Sequence, residues 1–576
     1  MRDLRRSRKF ALEKLKKIGL FSFSIKLIEL TIFSILSLNQ IKFRWRNSLK
    51  VNDFLYSQIF EEIYNDSKQI IDPEISEKVA LELANYKYRV FGRLFSFSSL
   101  NNKENHINNK ELTPILEILK DVENNLSKNF PGYKKNKSIA WNLDPLHNFN
   151  FTKKQINYGK SEIKIPWELG RFSVFPWLAS SDVKKDIVCN LFLRDCCQFI
   201  ISNDTSDTIQ WSNAMEAGIR IHNIVLTTNI LKSRNAYWND RYDNLISSLE
   251  RMHRKYILFN LEFSFLQTSN HFASNLLGLS STISRKNKIL LSLVKNIFSA
   301  EINKNVPKTF LNEGSTAYHR FTTEVYLYTT FWLRLKLGSI DSNITEKISS
   351  MVELTHSIEN PLGLHTLFGD ADGGYVNHSF FPYKASELMF SPYFVKNHLN
   401  LIRILARATG VRNINKLRRE ISNYGEIIVI RKDKLYICIN NLKESKKTIN
   451  NTHFHDDHGF TEIFDNDLCI SIDSGMNFYT SNPKEHRFYR SAASHFSNAD
   501  LIEDGIIFEN ISRRNAQIKI EHSKDIMKCN ISFNNERYFE LNIMNRIVDY
   551  SYNKNLITDK VLFLNYLGQN YFEQNT

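Results

Sequence analysis

From about residue 70 to residue 410, apolar side chains recur every three or four positions, which is the signature of helices that bury one stripe. The segments 184–201 (KKDIVCNLFLRDCCQFII), 212–232 and 318–337 carry it most clearly. Short Gly, Pro, Ser and Asn clusters separate such segments, as in a stack of helical hairpins. Asn/Lys-rich stretches at 101–110 and 131–137 read as loops. Near residue 420 the period falls to two. GEIIVIRKDKLYICINN predicts two strands joined by a tight turn, and DLCISIDSG, NAQIKIEHS, KCNISF and YFELNIMNRIV continue the alternation. Helices first and strands afterwards imply segregated domains: a basic helical segment over 1–70, a helical domain over 71–410 and an all-β domain over 411–576.

Composition changes this picture little. At 576 residues, with 42% hydrophobic and 12% aromatic side chains, the chain can bury large cores and is not of the disordered class. Six cysteines without a C-x-x-C pair indicate neither a disulfide framework nor a thiolate zinc site, so they read as small buried hydrophobes. Charge says more. The 76 Lys+Arg against 61 Asp+Glu leave a formal +15, which favours an anionic partner. Nucleic acid ranks last among such partners, because there is no recognition motif and no basic stripe beyond the N-terminus. That N-terminus (Arg2, Arg5, Arg6, Arg8, Lys9, Lys14, Lys16, Lys17) precedes an apolar stretch interrupted by Lys26 and Glu29. The stretch is too short to span a bilayer and lacks a signal-peptidase site, so it predicts a basic amphipathic helix lying on the protein or on a membrane surface. A cytoplasmic or membrane-associated chain is expected, with the periplasm as the alternative.

Three polar clusters carry the candidate chemistry. The run His453-Phe454-His455-Asp456-Asp457-His458 places two histidines two residues apart, on one face if the run is a strand. Together with Asp473 and His495 it offers two imidazoles and a carboxylate, a donor set that suits zinc; a hydrogen-bonded interdomain cluster is the plainer alternative. Ser269-Asn270-His271-Phe272 opens one apolar helix, where Asn270 can be a cap. Glu313-Gly314-Ser315-Thr316-Ala317-Tyr318-His319-Arg320-Phe321 opens another. Gly369-Asp370-Ala371-Asp372-Gly373-Gly374 reads as a tight loop without EF-hand spacing.

Taken in order, these elements resemble the heparinase II/III family of polysaccharide lyases. Trp141 with Leu146-His147-Asn148-Phe149, Trp167-Glu168-Leu169-Gly170-Arg171-Phe172, and Trp211 through Glu216, Arg220 and Asn223 extend the resemblance over about residues 140 to 510. It implies an α+β multidomain fold: an incomplete α/α toroid followed by an antiparallel β-sandwich. The implied activity is cleavage of a uronic-acid polysaccharide by β-elimination, with no organic cofactor. The C5 proton beside a carboxylate is a poor acid until that charge is neutralised, so donors aimed at the developing enolate are needed. By resemblance, Asn270 binds the substrate carboxylate and His271 assists or acts as base. Tyr318 gives a proton to the leaving oxygen, and His453 pairs with Tyr318. His455, Asp473 and His495 match positions that hold a structural zinc in some members. Arg220, Arg320 and His319 complete a substrate-binding set, although ordering of its neighbours is the plainer role for His319.

The sequence also departs from the family pattern. His458-Gly459-Phe460-Thr461 stands where relatives carry apolar residues and then Ser-Phe, and Gly374 is followed by Tyr375 where arginine is common. These departures, with no clear export signal, fit a subgroup that makes or trims the cell's own surface polysaccharide. A uronate C5-epimerase, or a catalytically silent polysaccharide-binding protein of surface-glycan assembly, is the alternative. A hydrolase ranks lower, because no carboxylate pair stands out.

Overall fold

The computed structural model describes residues 41–45, 58–68, 71–91, 93–100, 110–135, 137–152, 158–264, 269–361, 363–372, 374–377, 396–411, 421–432, 434–442, 453–465, 468–473, 475–476, 479–491, 494–495, 517–522, 526–533, 536–544 and 547–552. The basic N-terminus up to residue 40 and Cys529's side chain therefore lie outside the described residues. Of the segment expected to be helical over 1–70, the described helix is α1 (Gln58–Lys68). No helix among the described residues is long and apolar enough to cross a membrane.

Helices dominate up to residue 409. After α1 come α2 (Pro73–Ala84), α3 (Thr113–Asn129), α4 (Lys164–Gly170), α5 (Phe175–Ala179), α6 (Lys185–Ser202), α7 (Ala214–Ser233) and α8 (Asp240–Phe259). Then follow α9 (Asn270–Thr282), α10 (Lys288–Asn305), α11 (Thr316–Leu337), α12 (Ser342–Ser357) and α13 (Lys396–Thr409). Six short strands, β1 (Lys87–Val90), β2 (Arg93–Ser96), β3 (Ser98–Leu100), β4 (Lys137–Ile139), β5 (Leu143–Asp144) and β6 (Phe149–Asn150), interrupt the helical half as three two-stranded ribbons. Periodicity did not foretell them, because each is shorter than the window over which alternation can be read. The loop expected at 131–137 ends in one of them, β4.

Two antiparallel sheets follow. β7 (Ile421–Asn423), β8 (Ile427–Lys432), β9 (Leu435–Asn440), β10 (Thr461–Asp465) and β11 (Leu468–Ser471) form a meander with spatial order β11-β10-β9-β8-β7. A helix, α14 (Pro483–Arg490), intervenes before β12 (Gln517–His522), β13 (Ile526–Phe533), β14 (Glu536–Met544) and β15 (Ile547–Tyr552), which pair in sequence order. The expected hairpin is β8–β9, with Lys432 opposite Leu435.

The innermost helices are buried around their whole circumference, charged side chains such as Glu216, Arg220, Arg320 and Glu324 included. In α7 and α9 nearly every side chain is buried, as is almost all of α11. Such helices cannot be stripes on a surface; they lie inside the helical layer. α7 and α9 approach closely because two glycines meet: a Cβ on Gly278 would stand 2.7 Å from Gly218 Cα. The starts of these helices are defined by side-chain caps. Asn213 accepts from Glu216 N (2.9 Å), Ser269 from Phe272 N (3.4 Å) and Ser315 from Tyr318 N (3.2 Å). Asn270 is thus the first helical residue of α9 and not its cap. Ser269 is the cap, because its extended backbone turns its hydroxyl back over the first amides.

Two cores result. One fills the helical layer. The other joins β8, β9 and β10 (Ile428, Ile430, Ile437, Ile439, Ile463) to Phe310, Leu354, Ile358 and Phe368 from the ends of helices and their loops. At about 1.5–3 kcal/mol for each large apolar side chain fully buried, this second core seats the sheet firmly on the helical layer. Among the described cysteines, Cys189, Cys196, Cys197 and Cys438 are free and buried and Cys469 is half-buried, close to the expectation.

Candidate functional site

The starts of α9 and α11, the 369–377 loop and the 453–458 segment converge where the sheet meets the helices. The histidine run is not a strand: residues 453–460 form an irregular segment with turns. Both His453 and His455 nevertheless reach one group, the Asp370 carboxylate. His453 Nδ1 lies 2.9 Å from Asp370 Oδ2 and His455 Nε2 lies 2.8 Å from Asp370 Oδ1. Asp370 N in turn donates to His453 O at 2.9 Å, and Gly369 N donates to Asp457 Oδ2 at 2.9 Å. Burial opposes the Asp370 charge, but hydrogen bonds from His453 and His455 and the Arg490 guanidinium hold its carboxyl well below the usual carboxylate range. Gly369 is required here. Its φ is +73° and an added Cβ would meet Gly314 O at 2.4 Å and His453 O at 2.6 Å.

Tyr318 lies one turn into α11, with its ring stacked on His453 (centroids 3.8 Å apart, planes at 23°). Burial, and then the charge of Asp372, raises its phenol well above 10, so the proton stays on at neutral pH. Lys164 Nζ stands 3.0 Å from Asp372 Oδ2 and 4.3 Å from the centre of the Tyr479 ring. Asn270 is fixed from behind by Glu313, which accepts from the Asn270 backbone N (2.6 Å) and from its Nδ2. Burial lifts the Glu313 carboxyl above its ordinary value. His453 Nε2 faces the same carboxylate at 3.9 Å. His271 is the more open group, with 43% of its side chain exposed, and its Nδ1 is 2.7 Å from Glu262 Oε1. Partial desolvation by its surroundings pulls this imidazole down, yet the Glu262 charge and hydrogen bond outweigh it, so it sits above its ordinary value.

Of the expected catalytic set, then, Asn270, Tyr318 and His453 share one cluster through Glu313 and Asp370, and His271 is the next residue along α9. The substrate-binding set is not brought there. Arg220 is fully buried in α7, with Nε on Gly170 O (2.6 Å), Nη2 on Gln210 O (2.8 Å) and its guanidinium over Phe199 and Trp211. Its motif neighbours explain why it is spent internally: they tie α4 and α7 to the loop that carries Asp370 and Asp372. Arg171 donates to Glu216 (2.7 and 2.8 Å), Glu168 (2.8 Å) and Tyr375 O (3.2 Å), while Asn223 donates to Val376 O at 2.7 Å. Arg320 likewise lies under the loop, donating to Gly374 O with its guanidinium 3.9 Å from the Tyr375 ring centre. His319 stacks on Phe310, accepts from Leu311 N at 3.3 Å and lies 3.1 Å from Met351 O. Burial lowers its pKa to about 4, so it is a neutral ordering group rather than a ligand for an anion.

A metal would have a fitting donor set. His455, Asp457 and His495, all buried, each offer one ligand atom within 4.8 Å of the others. Asp473, the carboxylate expected from the sequence, has Oδ2 2.9 Å from His495 Nδ1. Two imidazoles with nearby carboxylates suit a tetrahedral divalent ion such as zinc. Sequence reasoning missed Asp457 as a donor and Asp370 as the hub. It also missed Asp372, Lys164, Glu262, Glu313 and Tyr479. Asp370 and Asp372 stood in the G-D-x-D-x-G loop, Asp457 in the histidine run and Glu313 at the head of its motif, but such carboxylates read as turn or surface groups until tertiary partners are known.

The arrangement brings together groups that can serve acid–base chemistry: a tyrosine held protonated, two imidazoles each hydrogen-bonded to a carboxylate, and an amide fixed by a buried glutamate. No family model matches the sequence, and no curated protein matches it. Among solved structures the chain is similar to heparan sulfate lyase HepC from Pedobacter heparinus, at 12% identity and a TM-score of 0.43 over 93% of this chain and 74% of that one. A mutant of that enzyme gives 12% and 0.45 over 92% and 73%, and a heparinase III gene product gives 13% and 0.46 over 86% and 76%.

Proposed function

We propose that this protein is a lyase that cleaves a uronic-acid-containing polysaccharide by β-elimination, in bacterial surface-polysaccharide metabolism. The observation that carries the reading is the Tyr318 ring stacked on His453, with Asp370 bound at Nδ1 of that imidazole. The order of motifs in the sequence agrees with it. In the proposed reaction Asn270 gives its second amide N–H to the substrate carboxylate and so makes the C5 proton acidic. An imidazole backed by a carboxylate takes that proton; His453–Asp370 and His271–Glu262 are the two such pairs. The C5–H electrons form the C4–C5 double bond, the C4–O4 bond breaks, and the Tyr318 phenol protonates O4. A phenol held above 10 is suited to donate a proton rather than to accept one at neutral pH.

In the same reading the helices form an incomplete toroid and the two sheets a sandwich. His455, Asp457 and His495, with Asp473 beside them, would hold a zinc ion that ties residues 455–495 together; its contribution would be structural. The formal +15 favours an acidic glycan as partner.

The test is ultraviolet absorbance of the protein mixed with a panel of uronate polysaccharides, since elimination leaves a conjugated double bond. Tyr318→Phe is expected to lower the rate by about 10²–10⁴-fold with binding retained. Undiminished turnover in that variant would remove Tyr318 as proton donor.

A further inference from the structure

α9 links two polar regions. Its first residue, Asn270, is in the cluster above. Its last turn, about 18 Å away at 1.5 Å per residue, lines a separate cavity of about 340 Å³. Arg251 and Arg254 from α8, Arg285 from the α9–α10 turn and Lys336 from the end of α11 line it, against one carboxylate, Glu250. Four cations and one anion give a formal +3 there. Part of this charge closes helix ends. Lys336 Nζ donates to Ser280 O (2.8 Å), Ser281 O (2.7 Å) and Ile283 O (2.8 Å), and Arg254 Nη1 donates to Thr282 O (2.7 Å).

Helix capping does not account for two further features. Arg285 is exposed and follows the end of α9. Asn229, 7% exposed, also lines the cavity; its Nδ2 donates to Val225 O at 2.8 Å, and its Oδ1 has no hydrogen-bond partner among the described residues. A buried acceptor left unmet is costly, so a donor is expected to reach it. The start of α10, with its cap Asn287 and with Leu290, also opens on the cavity and adds the positive end of an 18-residue helix. The lining thus calls for a ligand with an anionic group for the guanidiniums and a hydroxyl for Asn229. The volume is at the small end of ligand sites, enough for about one sugar residue.

We propose that this cavity is a saccharide site, which takes an acidic sugar residue at the opposite end of α9 from the Asn270 cluster. Its ligand chemistry is read from the cavity residues and does not rest on the lyase reading.

Equilibrium dialysis of the full chain with glucuronic acid, glucose and inorganic sulfate tests this. Glucuronic acid is expected to bind and glucose not. Arg251→Ala with Arg285→Ala, its fold checked by circular dichroism because Arg251 also donates to Ser248 Oγ at 2.8 Å, should weaken glucuronate at least about tenfold. Asn229→Leu should weaken glucuronate while leaving sulfate unchanged. Glucuronate binding that survives the double arginine variant would overturn the proposal. So would sulfate binding as tight as glucuronate in the unaltered protein, which would mark an inorganic-anion site. A flat ultraviolet trace across the uronate panel would sink the lyase reading and leave this result untouched.

Discussion

Two glycines with left-handed backbones allow a controlled test of how the site is assembled. Gly338, the cap that ends α11, has φ +94° and nothing within 4 Å of an added Cβ. Gly369 has φ +73°, but its Cβ would overlap two backbone carbonyls, Gly314 O and His453 O. Alanine at either position incurs the left-handed penalty of about 1–2 kcal/mol. A smaller unfolded chain entropy offsets about 0.4–1 kcal/mol of that. Only at 369 is there crowding as well, and its partners are main chain, which cannot swing aside. Overpacking of that kind costs about 1–3 kcal/mol more. Gly338→Ala should therefore lose about 1 kcal/mol and Gly369→Ala about 2–4 kcal/mol. Urea unfolding followed by tryptophan fluorescence reads the difference as a lower midpoint at unchanged slope. Activity should separate the two variants further, because the displaced atoms carry Asp370 and His453. If the two variants unfold at the same midpoint, the close approach of the 369 loop to residues 314 and 453 is wrong, and with it the hub role of Asp370.

Three other outcomes follow from the same contacts. Arg171→Met removes the cation shared by Glu168 and Glu216 and should cost about 3–5 kcal/mol, since both carboxylates are 2% exposed; a stable, active variant would show that the 369–377 loop does not depend on this tie. Burial lifts the Glu301 carboxyl from 4.5 to about 7, against the pull of Lys304. The folded chain then holds this proton more tightly, so the stability is fully present below pH ~4.5 and is lost as pH rises through ~7. Glu301→Gln should gain up to about 3 kcal/mol at pH 8 and nothing at pH 4, and an equal gain at both pH values would refute the assignment. Chelator treatment should lower the unfolding midpoint, and stoichiometric zinc should restore it; a midpoint indifferent to both would leave His455, Asp457 and His495 as a purely hydrogen-bonded cluster.

Much of the secondary structure was legible because period is a local property. The apolar spacing at 184–201, 212–232 and 318–337 became α6, α7 and α11, and the alternation from 427 to 440 became the β8–β9 hairpin. The two-residue spacing of His453 and His455 misled in form, since the segment is a turn, yet both rings still meet one carboxylate. Tyr318, Asn270 and His453 were marked by a motif and came together. Arg220 and Arg320 lie apart from that cluster for a physical reason. A guanidinium reads as a clamp from sequence, but five N–H donors serve equally well to pin carbonyls, and Arg220 and Arg320 each do so in the interior. Asp370 was overlooked because its importance lies in partners 83 and 85 residues away, which no local pattern encodes.

Those separations have a consequence for how the protein comes to life. Asn270 is fixed by a residue 43 positions on, Asp370 by residues more than 80 on, and Glu162 holds the backbone at Tyr479 from 317 positions away. A nascent chain that has completed every helix of the first half owns no finished centre, because the imidazoles that meet Asp370 have not yet emerged. Contacts of such long range close late and slowly. Recovery of activity on refolding should therefore trail the return of helical circular dichroism, and chains truncated before residue 453 should stay inert however well their helices form.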